Sequence, residues 1–181
     1  MRRTNVQPWS EEWGQKYKVE ASALKEIFKD IIIDIFHIGS TSIPTIGFAK
    51  PIIDILIVVE DIEQVDPLNN KMTQLGYSPK SENGIPGRRY FSKGGEQRTH
   101  HVHVYHKGNE NIQIHLNFQA YLLENPDIAK QYGQLKQSLL EKYPDIHHKY
   151  QEEKQEFVDQ LVKDAQKWAL KEQKNENRRL V

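Results

Sequence analysis

Four ionisable side chains interrupt stretches that are otherwise apolar or β-branched: Asp54, His101, His103 and His115. An ionisable group is costly in a buried strand unless it is paired or coordinated, so each position is a candidate for chemistry. His101 and His103 stand two residues apart, so on a strand both imidazoles face one side, where a metal ion or a phosphate can be shared. For Asp54 the alternative is a carboxylate that caps backbone or pairs with Lys50 or an arginine. The functional interpretation is favoured, since an unpaired buried charge is seldom kept for packing.

A second kind of chemistry, the binding of phosphate oxygens, is indicated by a short segment made of Gly39, Ser40, Thr41 and Ser42. Glycine lets the backbone turn, and consecutive N–H groups beside hydroxyls form an anion-binding nest. An ordinary Ser/Thr-rich turn is the alternative. The segment precedes the stretch that carries Asp54, and this position favours phosphate binding.

The segment 80–107 is basic and rich in histidine. It carries six lysines and arginines against two acidic residues, and it holds four of the eight histidines. A solvated hairpin is one interpretation of such a run, and a docking surface for phosphate or another anion is the other. Arginine offers a bidentate fork for phosphate oxygens, so Arg89 is a candidate anion clamp.

The composition excludes several classes of protein. A chain of 181 residues is expected to form a single domain, 1–181. Its 25 basic and 25 acidic side chains balance, which argues against a protein that coats bulk nucleic acid. Because cysteine is absent, disulfides and thiolate-bound metals are excluded, and any metal must be held by nitrogen and oxygen. Without a signal peptide or an apolar run of about 20 residues, a cytoplasmic protein with no membrane contact is expected.

Periodicity predicts the elements that must position the candidate side chains. A helix over about Glu11–Lys29 precedes a strand over Ile31–Ile38, and the apolar run Pro51–Val59 predicts a strand buried on both faces. Another helix is predicted over Ile62–Leu75. Three short strands are then predicted, at Arg88–Phe91, His101–Tyr105 and Ile112–Leu116. Beyond Phe118 the pattern is helical.

Several motifs occur in an order that resembles one known family. They are His37-Ile38-Gly39-Ser40-Thr41-Ser42-Ile43-Pro44, Ala49-Lys50-Pro51-Ile52-Ile53-Asp54-Ile55-Leu56, Arg89-Tyr90-Phe91, His101-Val102-His103-Val104 and His115-Leu116-Asn117-Phe118. The chain resembles the GrpB family, a branch of the nucleotidyltransferase superfamily. The resemblance implies an α+β fold with a nucleotidyltransferase-like mixed β-sheet flanked by helices, a sheet core over about 30–118 and a helical C-terminal segment over about 119–175. It also implies that Gly39 and Ser40 form a phosphate turn and that Asp54 binds divalent metal for nucleotidyl transfer.

The sequence departs from the pattern of active enzymes in that superfamily. Such enzymes usually carry two acids two residues apart, but the positions two before and two after Asp54 are Ile52 and Leu56. His115 occupies the best candidate position for the third carboxylate. One carboxylate with imidazoles suits a single ion such as Mn²⁺ or Zn²⁺ better than the two Mg²⁺ ions of the usual route.

Two hypotheses follow. The first is a nucleotidyltransferase-type enzyme that acts on a nucleotide or another small anionic phosphate ligand, with a divalent metal ion (Mn²⁺, Mg²⁺ or Zn²⁺) as cofactor. Its catalytic residues would be Asp54 and His115, its metal ligands Asp54, His101, His103 and His115, and its phosphate contacts Gly39, Ser40, Thr41, Ser42, Lys50 and Arg89. The second is a non-catalytic nucleotide- or anion-binding module that kept the phosphate turn and lost the acids. A long amphipathic C-terminal helix also permits a homodimer.

Overall fold

The computed structural model describes residues 5–144 and 146–179 and, within them, all side chains except those of 147 and 176–179. The helices are α1 (Glu12–Phe28), α2 (Asn69–Gln74), α3 (Glu110–Glu124), α4 (Pro126–Lys142) and α5 (His147–Arg179). The strands are β1 (Gln7–Pro8), β2 (Ile32–Ile38), β3 (Phe48–Ala49), β4 (Ile53–Val59), β5 (Tyr77–Pro79), β6 (Arg88–Lys93) and β7 (His100–His106). Short 3₁₀ segments cover Ser40–Ser42, Pro44–Ile46 and Ile62–Leu68.

Five strands form one mixed sheet in the order β2-β4-β7-β6-β5. The pair β4 and β7 is parallel and the other pairs are antiparallel, while β1 and β3 form a separate two-stranded ribbon. Every residue of β4 is buried except Asp54, which is partly exposed, as its continuous apolar run predicts. The prediction of an α+β fold with a mixed sheet flanked by helices is confirmed.

Helix α1 forms because its apolar residues recur at helical spacing. Trp13, Leu24 and Phe28 are buried on one face, and the helix packs against β2 and β4. The predicted helix over Ile62–Leu75 is a 3₁₀ segment followed by the short helix α2. Pro67 lies inside the 3₁₀ segment, where its missing N–H and its clash with the preceding turn disfavour an α-helix.

The predicted strand Ile112–Leu116 is wrong, because this stretch belongs to α3. The last strand ends at His106, and the Asn109 side chain accepts a hydrogen bond from the Asn111 N–H at 3.0 Å. That cap starts a helix at a point where apolar and polar residues happen to alternate. The helical segment therefore begins at Glu110 and not after Phe118.

The chain divides into two compact units. The sheet unit comprises residues 10–42 and 51–112, and the helical unit comprises the described residues of 1–9, 43–50 and 113–181. The expectation of a single domain over residues 1–181 stays a prediction. None of the helices in the described part of the chain is both long enough and apolar enough to cross a membrane.

In the helical unit, α4 packs closely against the 3₁₀ segment Pro44–Ile46. A Cβ atom added at Gly133 would lie 1.6 Å from the Ile46 carbonyl oxygen. No real Cβ makes such a contact, so only glycine allows α4 to approach this backbone. The 3₁₀ segment is held in turn by the Trp9 N–H, which donates to the Gly47 carbonyl at 2.8 Å.

Candidate functional site

The turn after β2 lies against the carboxylate of Asp54. Ile38, the last residue of β2, pairs with Asp54 on β4, so Gly39 begins the turn beside that side chain. Gly39 has φ of 72°, and a Cβ there would lie 2.6 Å from Asp54 Oδ2. A glycine is required both by the left-handed backbone and by the lack of space. The backbone of the predicted phosphate turn therefore directly adjoins Asp54.

Two hydroxyls of this turn hold the backbone in place. Thr41, which is buried, donates its hydroxyl hydrogen to the Ile52 carbonyl at 3.3 Å, and His37 Nε2 lies 3.0 Å from the same Thr41 oxygen. Since the Thr41 hydrogen is committed to Ile52, the His37 nitrogen is the donor in that contact. The Ser42 hydroxyl donates to the Gly39 carbonyl at 2.7 Å. These contacts stabilise the turn, and phosphate binding by Gly39, Ser40, Thr41 and Ser42 stays a prediction.

His37 stays neutral at ordinary pH. Burial lowers the pKa of its imidazole to about 4, and the charge of Asp54 opposes this effect only in part. Its ring stacks on Tyr17 of α1 with the centroids 4.7 Å apart. The histidine that the sequence assigns to the end of β2 thus ties α1 to the Gly39–Ser42 turn.

Asp54 and two histidines meet on one face of the sheet. The parallel pairing of β4 and β7 sets Asp54 opposite His101, with His101 Nδ1 at 3.0 Å and His103 Nε2 at 3.8 Å from Asp54 Oδ1. Burial raises the pKa of the Asp54 carboxyl, but the contacts with His101 and His103 outweigh it and hold the pKa well below its ordinary range. Asp54 is therefore ionised, and His101 Nδ1 carries the hydrogen that it donates to the carboxylate.

Arg88 completes this group, which we call the Asp54 cluster: Asp54, Arg88, His101 and His103. Arg88 is 5% exposed, and its NH1 lies 3.4 Å from His103 Nδ1. A guanidinium only donates, so His103 Nδ1 accepts and its Nε2–H points toward Asp54. Arg88 also donates to the backbone carbonyls of Glu82 and Asn83. The cluster is thus a fixed chain of groups from guanidinium to carboxylate.

Arg88 was missed by the sequence reasoning, which nominated Arg89. Neighbouring residues of a strand point to opposite faces, and Arg89 makes a bidentate pair with Asp66 at 2.6 and 2.8 Å. The fork of Arg89 is therefore already occupied, and the structure does not bring it together with the Asp54 cluster. Its proposed contact with phosphate stays a prediction.

The basic segment 80–107 is largely neutralised by acids from elsewhere in the sheet unit. Besides the Arg89 pair, Lys93 Nζ lies 2.8 Å from Glu20 on α1, and Lys107 Nζ lies 3.3 Å from Glu60. His100 Nε2 is 4.0 Å from the second oxygen of Glu20. These pairs weaken the interpretation of the segment as an open docking surface.

Lys50 and His115, two predicted site residues, belong to the helical unit. His115 lies on α3, and Lys50 holds its Nζ 4.7 Å from the ring centroid of Tyr150. Their assignment to catalysis and to phosphate binding stays a prediction.

The described side chains around Asp54 do not form a metal site by themselves. In the described ranges, no three His, Asp or Glu side chains form a group that could hold a metal ion. Asp54 and His101 hydrogen-bond each other instead of pointing at a common centre. Metal binding by Asp54, His101, His103 and His115 stays a prediction, and no chemical step is derived through a metal.

One atom of the cluster has no partner in the part of the chain that the structure describes. His101 Nε2 is buried and lacks a hydrogen bond there, while Nδ1 of the same ring is fixed on Asp54. In the neutral form of the ring, with its hydrogen on Nδ1, Nε2 presents a lone pair. A neutral imidazole oriented by a carboxylate is suited to accept a proton.

Sequence comparison assigns the chain to a family. The family model described as GrpB protein matches residues 3–164. The chain belongs to the GrpB family. Its relatives include YqkA of Bacillus subtilis (strain 168), with 46% identity over 92% of this chain and 48% of that protein, so the chain spans about half of YqkA. The glutamate-rich protein GrpB of Alkalihalophilus pseudofirmus is 38% identical over 84% of this chain and 90% of its own.

A solved GrpB structure has the same fold. The conserved protein GrpB from Enterococcus faecalis superimposes with a TM-score of 0.87 and 43% identity, over 92% of this chain and 99% of that chain. The family resemblance inferred from the motifs is therefore confirmed.

Proposed function

We propose that this GrpB-family chain binds a nucleotide or another small phosphate ester at the Gly39–Ser40 turn and acts on it with the Asp54 cluster. The observation that carries the proposal is His101: its Nδ1 is fixed on an ionised Asp54, and its Nε2 is buried without a partner among the described residues. The adjoining turn supports a phosphate ligand, because Gly39 brings backbone rather than a side chain against Asp54. The motif resemblance to nucleotidyltransferases points to the same class of ligand.

The proposed step is acid–base catalysis of displacement at phosphorus. A water or substrate hydroxyl attacks the phosphorus atom while His101 Nε2 accepts its proton. The new oxygen–phosphorus bond forms as the bond to the leaving oxygen breaks, and that oxygen departs with the electron pair. Asp54 stabilises the imidazolium that His101 becomes, and the Arg88–His103 contact keeps a second N–H directed at the carboxylate.

Asp54→Asn tests the proposal, with Asp66→Asn as the matched control. Asp66 is an aspartate of the same unit whose partner is Arg89, so its replacement removes equal charge outside the cluster. The protein is screened by thermal shift against nucleotides and phosphate esters with and without Mg²⁺, Mn²⁺ and Zn²⁺, since a ligand well above its Kd stabilises by several kcal/mol. Turnover of each stabilising ligand is then followed by ³¹P NMR. Turnover that Asp54→Asn loses and Asp66→Asn keeps is expected.

A screen in which no phosphate ligand stabilises the protein contradicts the proposal. Turnover that survives in Asp54→Asn contradicts the catalytic step in particular. Each ligand is screened with and without metal ions, so the same experiment shows separately whether a metal ion is required, as the two-metal route demands.

A second candidate function is a non-catalytic module that binds nucleotides or anions. It is favoured by the single acid on β4: the residue two positions after Asp54 is Leu56, which is fully buried, so no second carboxylate stands there. For this candidate the expected result is ligand stabilisation without turnover. In that case Asp54→Asn should leave the thermal shift intact, whereas substitution of Gly39 should remove it.

A further inference from the structure

Strand β2 lies at one end of the five-stranded sheet, so one of its two edges faces away from the other strands. In an antiparallel edge strand, alternate residues direct their N–H and C=O groups away from the neighbouring strand. Such a row of groups is a template for a strand from another chain. Strand β2 suits this kind of pairing, because four of its seven residues are isoleucine and one of these, Ile33, is 45% exposed.

At Ile35 these backbone groups are occupied by two side chains of the same unit. Asp34 Oδ1 accepts a hydrogen bond from the Ile35 N–H at 2.8 Å, and the Tyr17 hydroxyl donates to the Ile35 carbonyl at 3.2 Å. Since both groups of Ile35 bond to side chains, they are the ones directed away from β4. Tyr17 comes from α1, so two separate elements supply partners to this edge.

The Tyr17 phenol also engages the next residue of the same edge. Burial and the charge of Asp34 raise the pKa of this phenol, while a hydrogen bond with the His37 backbone acts in the opposite direction. A hydroxyl both donates and accepts, so one phenol can serve the Ile35 carbonyl and the His37 N–H together. A residue of an added strand would use its own N–H and C=O for the same two contacts. The stacking of Tyr17 on the His37 ring holds the phenol in this position.

The opposite edge of the sheet is formed by β5 and is protected in another way. Strand β5 has only three residues and ends at Pro79, which has no N–H to offer. Short edge strands and prolines both oppose the addition of a further strand. The longer β2 therefore depends on its side-chain contacts for the same protection.

We propose that Tyr17 and Asp34 prevent a second copy of this chain from adding its own β2 strand to the outer edge of β2. A second copy is the expected partner because two identical strands can pair antiparallel about a two-fold axis, each offering the same backbone groups and the same isoleucines. Asp34 adds a second obstacle, since it is the only lysine, arginine, aspartate or glutamate of β2 and the pair would bring two like charges together. The proposal goes beyond the proposed function, because it involves no ligand.

Tyr17→Phe and Asp34→Ala, made singly and together, test this inference in the full chain. Tyr17→Phe keeps the ring on His37 and removes only the hydroxyl, and Asp34→Ala frees the Ile35 N–H. Asp30→Ala is the matched control, since Asp30 is an exposed aspartate that precedes β2. Light scattering coupled to size exclusion gives the molar mass over a concentration series. The double variant should approach about twice the mass of the unmodified chain, because a two-fold pair closes after two copies, and the control should match the unmodified chain.

A third substitution shows whether the β2 edge is the surface that associates. Ile33→Lys places a charge on an exposed residue of this strand, and lysine on an edge strand opposes pairing. Added to the double variant, it should restore the mass of the unmodified chain. An increased mass that persists in the triple variant overturns the β2 edge as the surface.

Circular dichroism and thermal unfolding check that each variant is folded. A folded double variant with the mass of the unmodified chain at every concentration overturns the proposal. If the double variant does not fold, Asp34→Ala alone decides, because Asp34 is exposed and its replacement frees the Ile35 N–H. A mass that stays unchanged in folded Asp34→Ala then overturns the proposal, and an increased mass that Ile33→Lys reverses supports it.

Discussion

Asp54 is held ionised by its neighbours in the sheet. Burial alone favours the neutral acid, yet the contacts with His101 and His103 set the net direction of its pKa. Gly39 is also required at this site, since its missing side chain leaves room for Asp54 Oδ2. The chemistry of the site therefore depends on one absent methyl group as well as on the groups present.

Gly39→Ala should lower the free energy of unfolding by about 2–4 kcal/mol, as left-handed strain adds to the clash with Asp54. Gly47→Ala is a matched control, because Gly47 has φ of 75° but nothing within 4 Å of the added Cβ. That control should cost only about 1–2 kcal/mol of backbone strain. Urea unfolding of both variants gives the difference. Equal losses would show that the Asp54 contact adds nothing.

His37 makes stability depend on pH in a defined window. Its pKa is about 4 in the folded chain against an ordinary 6.5, so the unfolded chain binds more protons between these values. Stability should therefore fall as the pH drops from 6.5 toward 4, by about 1–2 kcal/mol after allowance for partial exposure. Replacement of His37 by phenylalanine keeps an aromatic ring against Tyr17 and should flatten this part of the profile. Urea unfolding of both proteins at several pH values across this window provides the measurement. If the free energy of unfolding changes with pH by the same amount in both proteins, the assignment to His37 is contradicted.

At the scale of elements, strands and helices could be predicted wherever the apolar residues followed one clear pattern. The apolar run of β4 predicted a doubly buried strand, and the helical spacing of Trp13, Leu24 and Phe28 predicted α1. Apolar and polar residues alternate around His115, which favours a strand, but the cap formed by Asn109 starts a helix there. The alternation within a short run does not show whether a helix cap precedes it.

The choice between Arg88 and Arg89 shows a different limit of the sequence. Alternation establishes that the two guanidiniums lie on opposite faces of β6. Which face carries the Asp54 cluster depends on the register between β6 and β7, where Tyr90 pairs with His103. Register is a property of two strands together, so one strand's sequence does not contain it.

Two helical glycines should respond to alanine in opposite directions. Gly14→Ala on α1 meets no atom within 4 Å and should raise the free energy of unfolding by about 0.5–1 kcal/mol. Gly133→Ala on α4 should lower it by more than about 3 kcal/mol, since the new methyl would overlap the Ile46 carbonyl. Thermal and urea unfolding of the two variants provide the measurement. A neutral Gly133→Ala would mean that α4 does not approach the Pro44–Ile46 segment so closely.

At the scale of the whole molecule, equal numbers of acids and bases conceal a specific pairing. Arg89, Lys93 and Lys107 each meet an acid from outside the basic segment, so half of its six lysines and arginines are compensated in place.

This charge pairing predicts weak contact with nucleic acid. A DNA duplex at physiological ionic strength should show no micromolar binding in a fluorescence anisotropy titration, because the 25 basic side chains are matched by 25 acidic ones and leave no net positive charge to displace counterions. The affinity for DNA should increase only slightly as the salt concentration is lowered. Tight binding with a steep salt dependence would contradict the prediction.

A homodimer stays a prediction from the long amphipathic α5. Light scattering coupled to size exclusion tests it directly. A mass that stays at 21.2 kDa at every concentration argues for a monomer.

The parallel pairing of β4 with β7 has a consequence for how the molecule assembles in time. The hydrogen bond between Asp54 and His101 joins residues 47 positions apart, and α2, β5 and β6 lie between them in the chain. Closing so long a loop costs entropy before any contact rewards it, so pairs of this kind slow folding. The two halves of the site therefore meet only when the central strands dock. Ligand binding during refolding should appear together with this docking step, and a nascent chain that has not yet reached His101 cannot bind through the Asp54 cluster.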